Sequence, residues 1–137
     1  CANHALCAMP HAGLRPPHMH KFRFQDFEIW KDAIRIGGEL DRIADALESR
    51  KKFRYAEQLR GAALSISNNI AEGSGSTSNK EFQQFLNYSR RSVFENANMV
   101  LFLITHGHLP AQGSEELLEA LDRLSAKILN FSRSLGR

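Results

Sequence analysis

From Asp26 onward, apolar side chains recur at three- and four-residue steps, the spacing that gathers them on one face of an α-helix. Phe27, Trp30, Ile34, Gly37, Leu40, Ala44 and Leu47 form the first stripe and predict a helix of about 22 residues. A charged stretch at residues 48–52 interrupts it, and Phe53, Ala56, Leu59, Ala63, Ile66 and Ile70 resume it as a second helix. Gly73 and Gly75 are expected to end that helix, because glycine enters the left-handed conformation at little cost. Ser78 followed by Glu81 reads as a capping box for a third helix. Its apolar face runs through Phe82, Phe85, Leu86, Val93, Ala97, Val100 and Leu103 and stops near Gly107 and Pro110. Ser114 opens a fourth, in which Leu117, Leu121, Leu124, Ile128, Phe131 and Leu135 alternate by fours and threes like a bundle seam. No segment alternates with the period of two that a strand requires, so the fold class is all-α. Connections of roughly four to eight residues cannot return a chain to its starting end, which predicts an antiparallel up-down-up-down four-helix bundle over residues 21–137.

Polar residues interrupt the stripes at regular places. Ser65, Asn69 and Glu72 step by four and three beside Ile66 and Ile70, and Ser92 and Glu95 do the same on the third helix. Folding the third helix back about a turn near residue 75 sets Ser65 level with Leu86 and Ser92 level with Leu59. Arg60 then lies within a turn of Glu95, so an ion pair between them is expected. Glu72 and Glu95 come out about 16 positions apart, or roughly 24 Å. A catalytic carboxylate pair needs roughly 5 to 9.5 Å, which removes the best enzymatic candidate. A buried polar group without a partner costs on the order of 1–3 kcal/mol, so these side chains read as pegs that penalise slipped pairings. The competing reading is a polar ligand pocket.

Composition narrows the classes without choosing one. The 137 residues fit one domain, and no apolar run approaches the roughly 20 residues of a membrane span. The N-terminus lacks the apolar core of a signal peptide, so a cytoplasmic location is expected. Residues 1–20 hold three of the four prolines, four of the six histidines and both cysteines, and predict an irregular tail. With Met19 directly before the first patterned segment, the tail reads as non-native or as lying upstream of the true start. The spacing of His4, His11, His18 and His20 resembles no metal-ligand pattern, and His106 and His108 read as turn histidines. The chain has no Glu-x-x-His pair, no phosphate-binding GxxxxGK[ST] loop and no GxSxG elbow. The glycine-rich GSGS at residues 73–76 reads as a flexible connection rather than a phosphate cradle. No metal or cofactor is expected. The charge of 18 Lys plus Arg against 15 Asp plus Glu, a net +3, permits an acidic partner without demanding one.

The stretch Gln58-Leu59-Arg60-Gly61-Ala62-Ala63-Leu64-Ser65-Ile66-Ser67-Asn68-Asn69-Ile70-Ala71-Glu72-Gly73 closely resembles the QLRRAALSIPSNIAEG signature of a four-helix-bundle family. That family was first met in open reading frames within intervening sequences of bacterial 23S ribosomal RNA genes, and it includes the accessory variability determinant of diversity-generating retroelements. Supporting matches are Phe27-Glu28-Ile29-Trp30, Lys80-Glu81-Phe82, Phe85-Leu86, Ser92 and Glu95, and the similarity covers about residues 24 to 135. Gly61 stands where the family usually has a second arginine, Ser67 replaces a proline, and Arg91 takes the place of a glycine. The resemblance implies a homopentamer around a central channel and no catalytic activity. For the retroelement relatives it further implies binding to a reverse transcriptase and to nucleic acid.

The residues themselves make both ideas testable. Tyr55, Phe94 and Phe102 fall off the core stripes, where exposed apolar side chains often serve as subunit contacts. Arg50, Lys51, Lys52 and Arg54 at the start of the second helix, with Arg60, Arg90 and Arg91 further along, are the candidates for RNA or DNA phosphate contacts. Such contacts would be salt dependent, and five copies would multiply a weak patch by avidity. The alternative is a structural or protein-interaction assembly whose charges keep it soluble.

Overall fold

The computed structural model describes residues 21–136, so the expectations for residues 1–20 lie outside the described residues. A 3-10 turn at Arg23–Asp26 leads into α1 (Glu28–Ser49), α2 (Phe53–Ser74), α3 (Asn79–Thr105) and α4 (Glu115–Leu135). Among the described residues there is no strand. Hydrogen bonds between neighbours fix the directions. Ser89 of α3 meets Ile66 of α2 while Asn96, two turns further on, meets Ala62. Residue numbers rise on one helix as they fall on the other, so the pair is antiparallel. Gln83 to Ser132 and Arg90 to Ser125 give the same sense for α3 and α4. Lys127 reaches Glu28 and Asp32, bringing α4 back against α1 and closing an all-α, four-helix arrangement.

The helix ends follow from local chemistry. Ser78 accepts a hydrogen bond from the Glu81 amide at 3.2 Å, which is one half of the expected capping box; the Glu81 side chain makes no return bond to the Ser78 amide. At the other end of α3, Gly107 takes φ +74°, the amide of His108 returns to the Leu103 carbonyl at 2.8 Å, and that of Gly107 returns to Ile104. These two bonds satisfy carbonyls that the helix leaves open, in the geometry of a Schellman cap. α1 ends the same way, with Lys52 bonded to the Leu47 carbonyl and Lys51 to Glu48. Here the left-handed position, φ +63°, is held by Lys51, where glycine would be the cheaper residue.

α2 ends differently from expectation. Its cap, Gly75, has φ −85°, in the right-handed region, and Gly73 is an ordinary helical residue. Gly73 is needed for space: a Cβ there would lie 2.7 Å from the Phe85 Cβ and 2.9 Å from the Phe82 ring. Because α2 continues to Ser74 and the turn occupies residues 75–78, the helices fold back later than residue 75. Ser65 consequently faces Ser92, six residues further along α3 than the expected Leu86.

The core is a set of strict seams. On α2 it uses Ala56, Leu59, Ala63, Ile66, Ile70 and Gly73, and on α4 Leu117, Leu121, Leu124 and Ile128. On α3 it is Phe82, Leu86, Ser89, Val93, Asn96, Val100 and Leu103, with two polar residues inside the seam. The first half of α1 corrects the sequence reading: Ile29, Ala33 and Ile36 are buried, whereas Ile34 is exposed and Gly37 half-buried. Two apolar rows interleave there, and the one that continues in register to Leu40, Ala44 and Leu47 takes the core.

Candidate functional site

The polar residues of α2 and α3 form a layered contact. At its surface, the hydroxyls of Ser65 and Ser92 lie 2.8 Å apart, and the Asn69 amide donates to the Ser65 carbonyl at 2.8 Å and to its hydroxyl at 3.1 Å. Beneath, Ser89, fully buried, donates to the Ile66 carbonyl at 2.8 Å. Asn96, also fully buried, donates to the carbonyls of Ala62 and Ser92 at 2.8 and 2.7 Å. The Asn96 carbonyl oxygen has no partner, a cost borne inside the seam. Four side chains, Ser65, Ser92, Ser89 and Asn96, therefore bond across α2 and α3 and hold them in one register, since sliding either helix would strand buried hydrogen-bonding groups, while Asn69 braces Ser65 from within α2.

Above this contact lies an open cleft of about 500 Å³ lined by Ser65, Asn69, Tyr88, Arg91, Ser92 and Glu95. Its hydroxyls are engaged with each other and with Asn69, not with a histidine that could take their protons. Glu72 and Glu95 are both exposed, without an ion-pair or hydrogen-bond partner among the described residues. With Ser65 level with Ser92, Glu95 lies level with Ala62, so Glu72 is about ten positions away, roughly 15 Å along the bundle. The separation is shorter than expected and still exceeds that of a catalytic pair. Among the described residues, no group of three or more His, Cys, Asp or Glu side chains is placed to hold a metal.

Arg60 does not pair with Glu95. It turns to α1, where Asp45 and Glu48 accept from its guanidinium at 2.7 and 2.8 Å and Asp41 lies at 3.6 Å. The hydrogen bonds it donates to those carboxylates push its pKa still further above the ordinary arginine range. The signal was present in the sequence: Asp41, Asp45 and Glu48 step by four and three along α1, an acidic row beside the core stripe. Lys127 is held similarly by Glu28 at 2.8 Å and Asp32 at 3.0 Å, which raises its pKa above the usual value of 10.5.

The remaining candidate cations do not form one patch. Lys51, Lys52 and Arg54 are exposed around the α1–α2 turn, with no carboxylate partner among the described residues. Arg50, at the same corner, donates through its guanidinium to the His108 carbonyl at 2.5 Å and so ties this turn to the α3–α4 connection. Arg90 lies far along α3, facing α4, bonded to the Ser125 carbonyl and set over the Phe94 ring at 5.2 Å. Arg91 rims the polar cleft. Of the other motif residues, Trp30 packs on Phe24 at 5.4 Å and Gln58 is exposed beside Tyr55.

Sequence reasoning passed over Ser89 and Asn96. The gaps they leave in the α3 stripe sit where a four-three alternation from Phe82 to Leu103 demands inward-facing residues, and that was the available signal. Large apolar side chains also remain on the outside: Ile34, Leu64, Phe94 and Leu101 are between 43% and 59% exposed. No helix among the described residues is long and apolar enough to cross a membrane. No curated protein matches the chain. Among family models, the one described as 23S rRNA-intervening sequence protein matches residues 25–130.

Proposed function

The chain belongs to the 23S rRNA-intervening sequence protein family, and on that premise we propose that it is a non-catalytic, self-assembling cytoplasmic scaffold that holds nucleic acid, or an enzyme acting on it, at its charged corner. The observation that carries this reading is the state of the cations. Lys51, Lys52 and Arg54 are exposed and unpaired at one end of the bundle, whereas Arg60 and Lys127 are neutralised by carboxylates within the fold. An unpaired cation is free to displace the counterions of a phosphate, and a paired one is not.

Self-assembly is supported by Ile34 and Leu64, which flank a shallow groove of about 300 Å³, and by Phe94 and Leu101 on α3. Apolar side chains of this size on a small bundle lose unfavourable water contact when copies pack. A homopentamer, the assembly implied by the resemblance, repeats the cationic corner five times, so each weak contact adds by avidity.

Two measurements test the proposal. Light scattering on the purified chain gives the assembly, expected as a pentamer; a monomer contradicts it. Titration with generic RNA at about 50 and about 200 mM salt gives the counterion release, which scales at about −0.7 to −0.9 per neutralised phosphate in the log-log slope. Three cations at one corner therefore predict a slope near −2 to −3 per engaged subunit. Undetectable binding at the lower salt leaves only the assembly, with charges that serve solubility.

A further inference from the structure

We propose that the corner carrying Lys51, Lys52 and Arg54 is a stacking platform for unpaired bases, and that its occupant is a single-stranded polynucleotide rather than a duplex. The inference rests on the nucleic-acid reading above and specifies its form.

Four rings sit in a row beside those cations. His108 lies 5.3 Å from Tyr55, Tyr55 5.8 Å from Phe102, and Phe102 4.3 Å from His106, all at tilted angles. They come from two elements. Tyr55 stands on the first turn of α2, immediately after Arg54, and the others stand on the last turn of α3 and its cap. The bond from Arg50 to the His108 carbonyl fastens one to the other, and Gly107 supplies the left-handed turn that points His108 back toward Tyr55. The row is built, but not covered: Phe102 is 41% exposed and His106 is exposed.

Beside it lies a depression of about 180 Å³ lined by Tyr55, Gln58, Asn98, Met99, Phe102 and Leu103. It is smaller than the roughly 300 Å³ lower bound for drug-sized ligands, so it suits one flat ring and little more. Gln58 and Asn98 are both exposed there, and neither side-chain amide has a hydrogen-bond partner among the described residues. Each amide presents donors and an acceptor, the complement of a base edge. An aromatic face, unpaired amides and adjacent unpaired cations match a base and its phosphate together. A duplex hides its base faces in the stack, so it can use the cations but not the rings.

The test compares a labelled 12-nucleotide oligouridine with a duplex RNA of equal length by fluorescence anisotropy, using the full chain at about 50 mM salt. Oligothymidine serves as the DNA arm. The wild type is expected to prefer the single strand by on the order of ten-fold. Phe102→Ala should remove that preference while leaving duplex affinity and the salt slope unchanged, and Phe102→Trp should restore it. Replacing Lys51, Lys52 and Arg54 by Gln should weaken both ligands and flatten both slopes. Circular dichroism and light scattering establish that each variant keeps its fold and assembly. Duplex bound as well as single strand, or an unaffected Phe102→Ala, overturns the stacking inference and leaves the scaffold reading in place. Polyglutamate or polyphosphate displacing the oligonucleotide as effectively per charge overturns it too. Absence of any binding overturns both readings.

Discussion

Gly61 and Gly73 lie on the same helix, and the same substitution at each should have opposite consequences. A helical glycine costs about 1 kcal/mol relative to alanine. At Gly61 nothing lies within 4 Å of where a Cβ would stand, so Gly61→Ala should recover that amount. For a domain of this size it corresponds to a rise of about 4 °C in melting temperature. At Gly73 the added methyl would fall 2.7 Å from the Phe85 Cβ and 2.9 Å from the Phe82 ring. The Phe85 Cβ is fixed to the backbone and cannot swing aside. The Phe82 ring is wedged between Phe27 and Phe131, with centroids at 6.1 and 5.7 Å. α2 and α3 must therefore separate locally, an overpacking cost of about 1–3 kcal/mol that outweighs the propensity gain. Gly73→Ala should be destabilising by up to about 2 kcal/mol, and Gly73→Val by more. Thermal melts followed by circular dichroism at one fixed protein concentration read both, since self-association of the kind proposed would make the midpoint concentration dependent. If Gly73→Ala raises the midpoint as Gly61→Ala does, the close approach of α2 and α3 is not what holds that glycine in place.

Three further outcomes are expected. Lys51→Gly should raise the melting temperature, because relieving a left-handed lysine recovers about 1–2 kcal/mol against about 0.4–1 kcal/mol of added unfolded-state entropy, while RNA affinity falls. Lys127→Met should lower the melting temperature at neutral pH. The folded lysine has its pKa raised, so its stabilisation is complete below the unfolded value of 10.5 and is lost as pH climbs through the higher folded value. The difference from wild type should accordingly shrink in melts taken above pH 10.5. Phe94→Asp should shift the light-scattering mass toward smaller species with little change in helix content, because Phe94 is 54% exposed.

The four helices were legible because each carries a core stripe of five or more turns, and periodicity that long tolerates local error. Capping at Ser78 was legible because it depends on residues three apart. What was not legible depends on how two helices meet. The interleaved rows Trp30-Ile34-Gly37 and Ile29-Ala33-Ile36 are equally helical, and only the neighbouring helices select the second. Arg60 could reach either α1 or α3, and the register of α2 against α3, set by a four-residue turn and the Ser89 and Asn96 contacts, decided for α1. Gly73 reads as a helix terminator in one dimension and as a point of contact in three. The ring row at the bundle end joins residues some 50 positions apart, which no local pattern exposes.

The hydroxyls and amides between α2 and α3 set the register of the two helices, and the proposed binding surface is the exposed corner at Lys51, Lys52 and Arg54. A double-mutant cycle on Ser65→Ala and Ser92→Ala, read for both folding stability and RNA affinity, separates these two roles. The expected result is a coupling of about 0.5–1.5 kcal/mol in stability, the worth of one hydrogen bond, with RNA affinity unchanged in all three variants. Additive stabilities together with collapsed RNA affinity would contradict it and make the cleft over Ser65 and Ser92 the binding site.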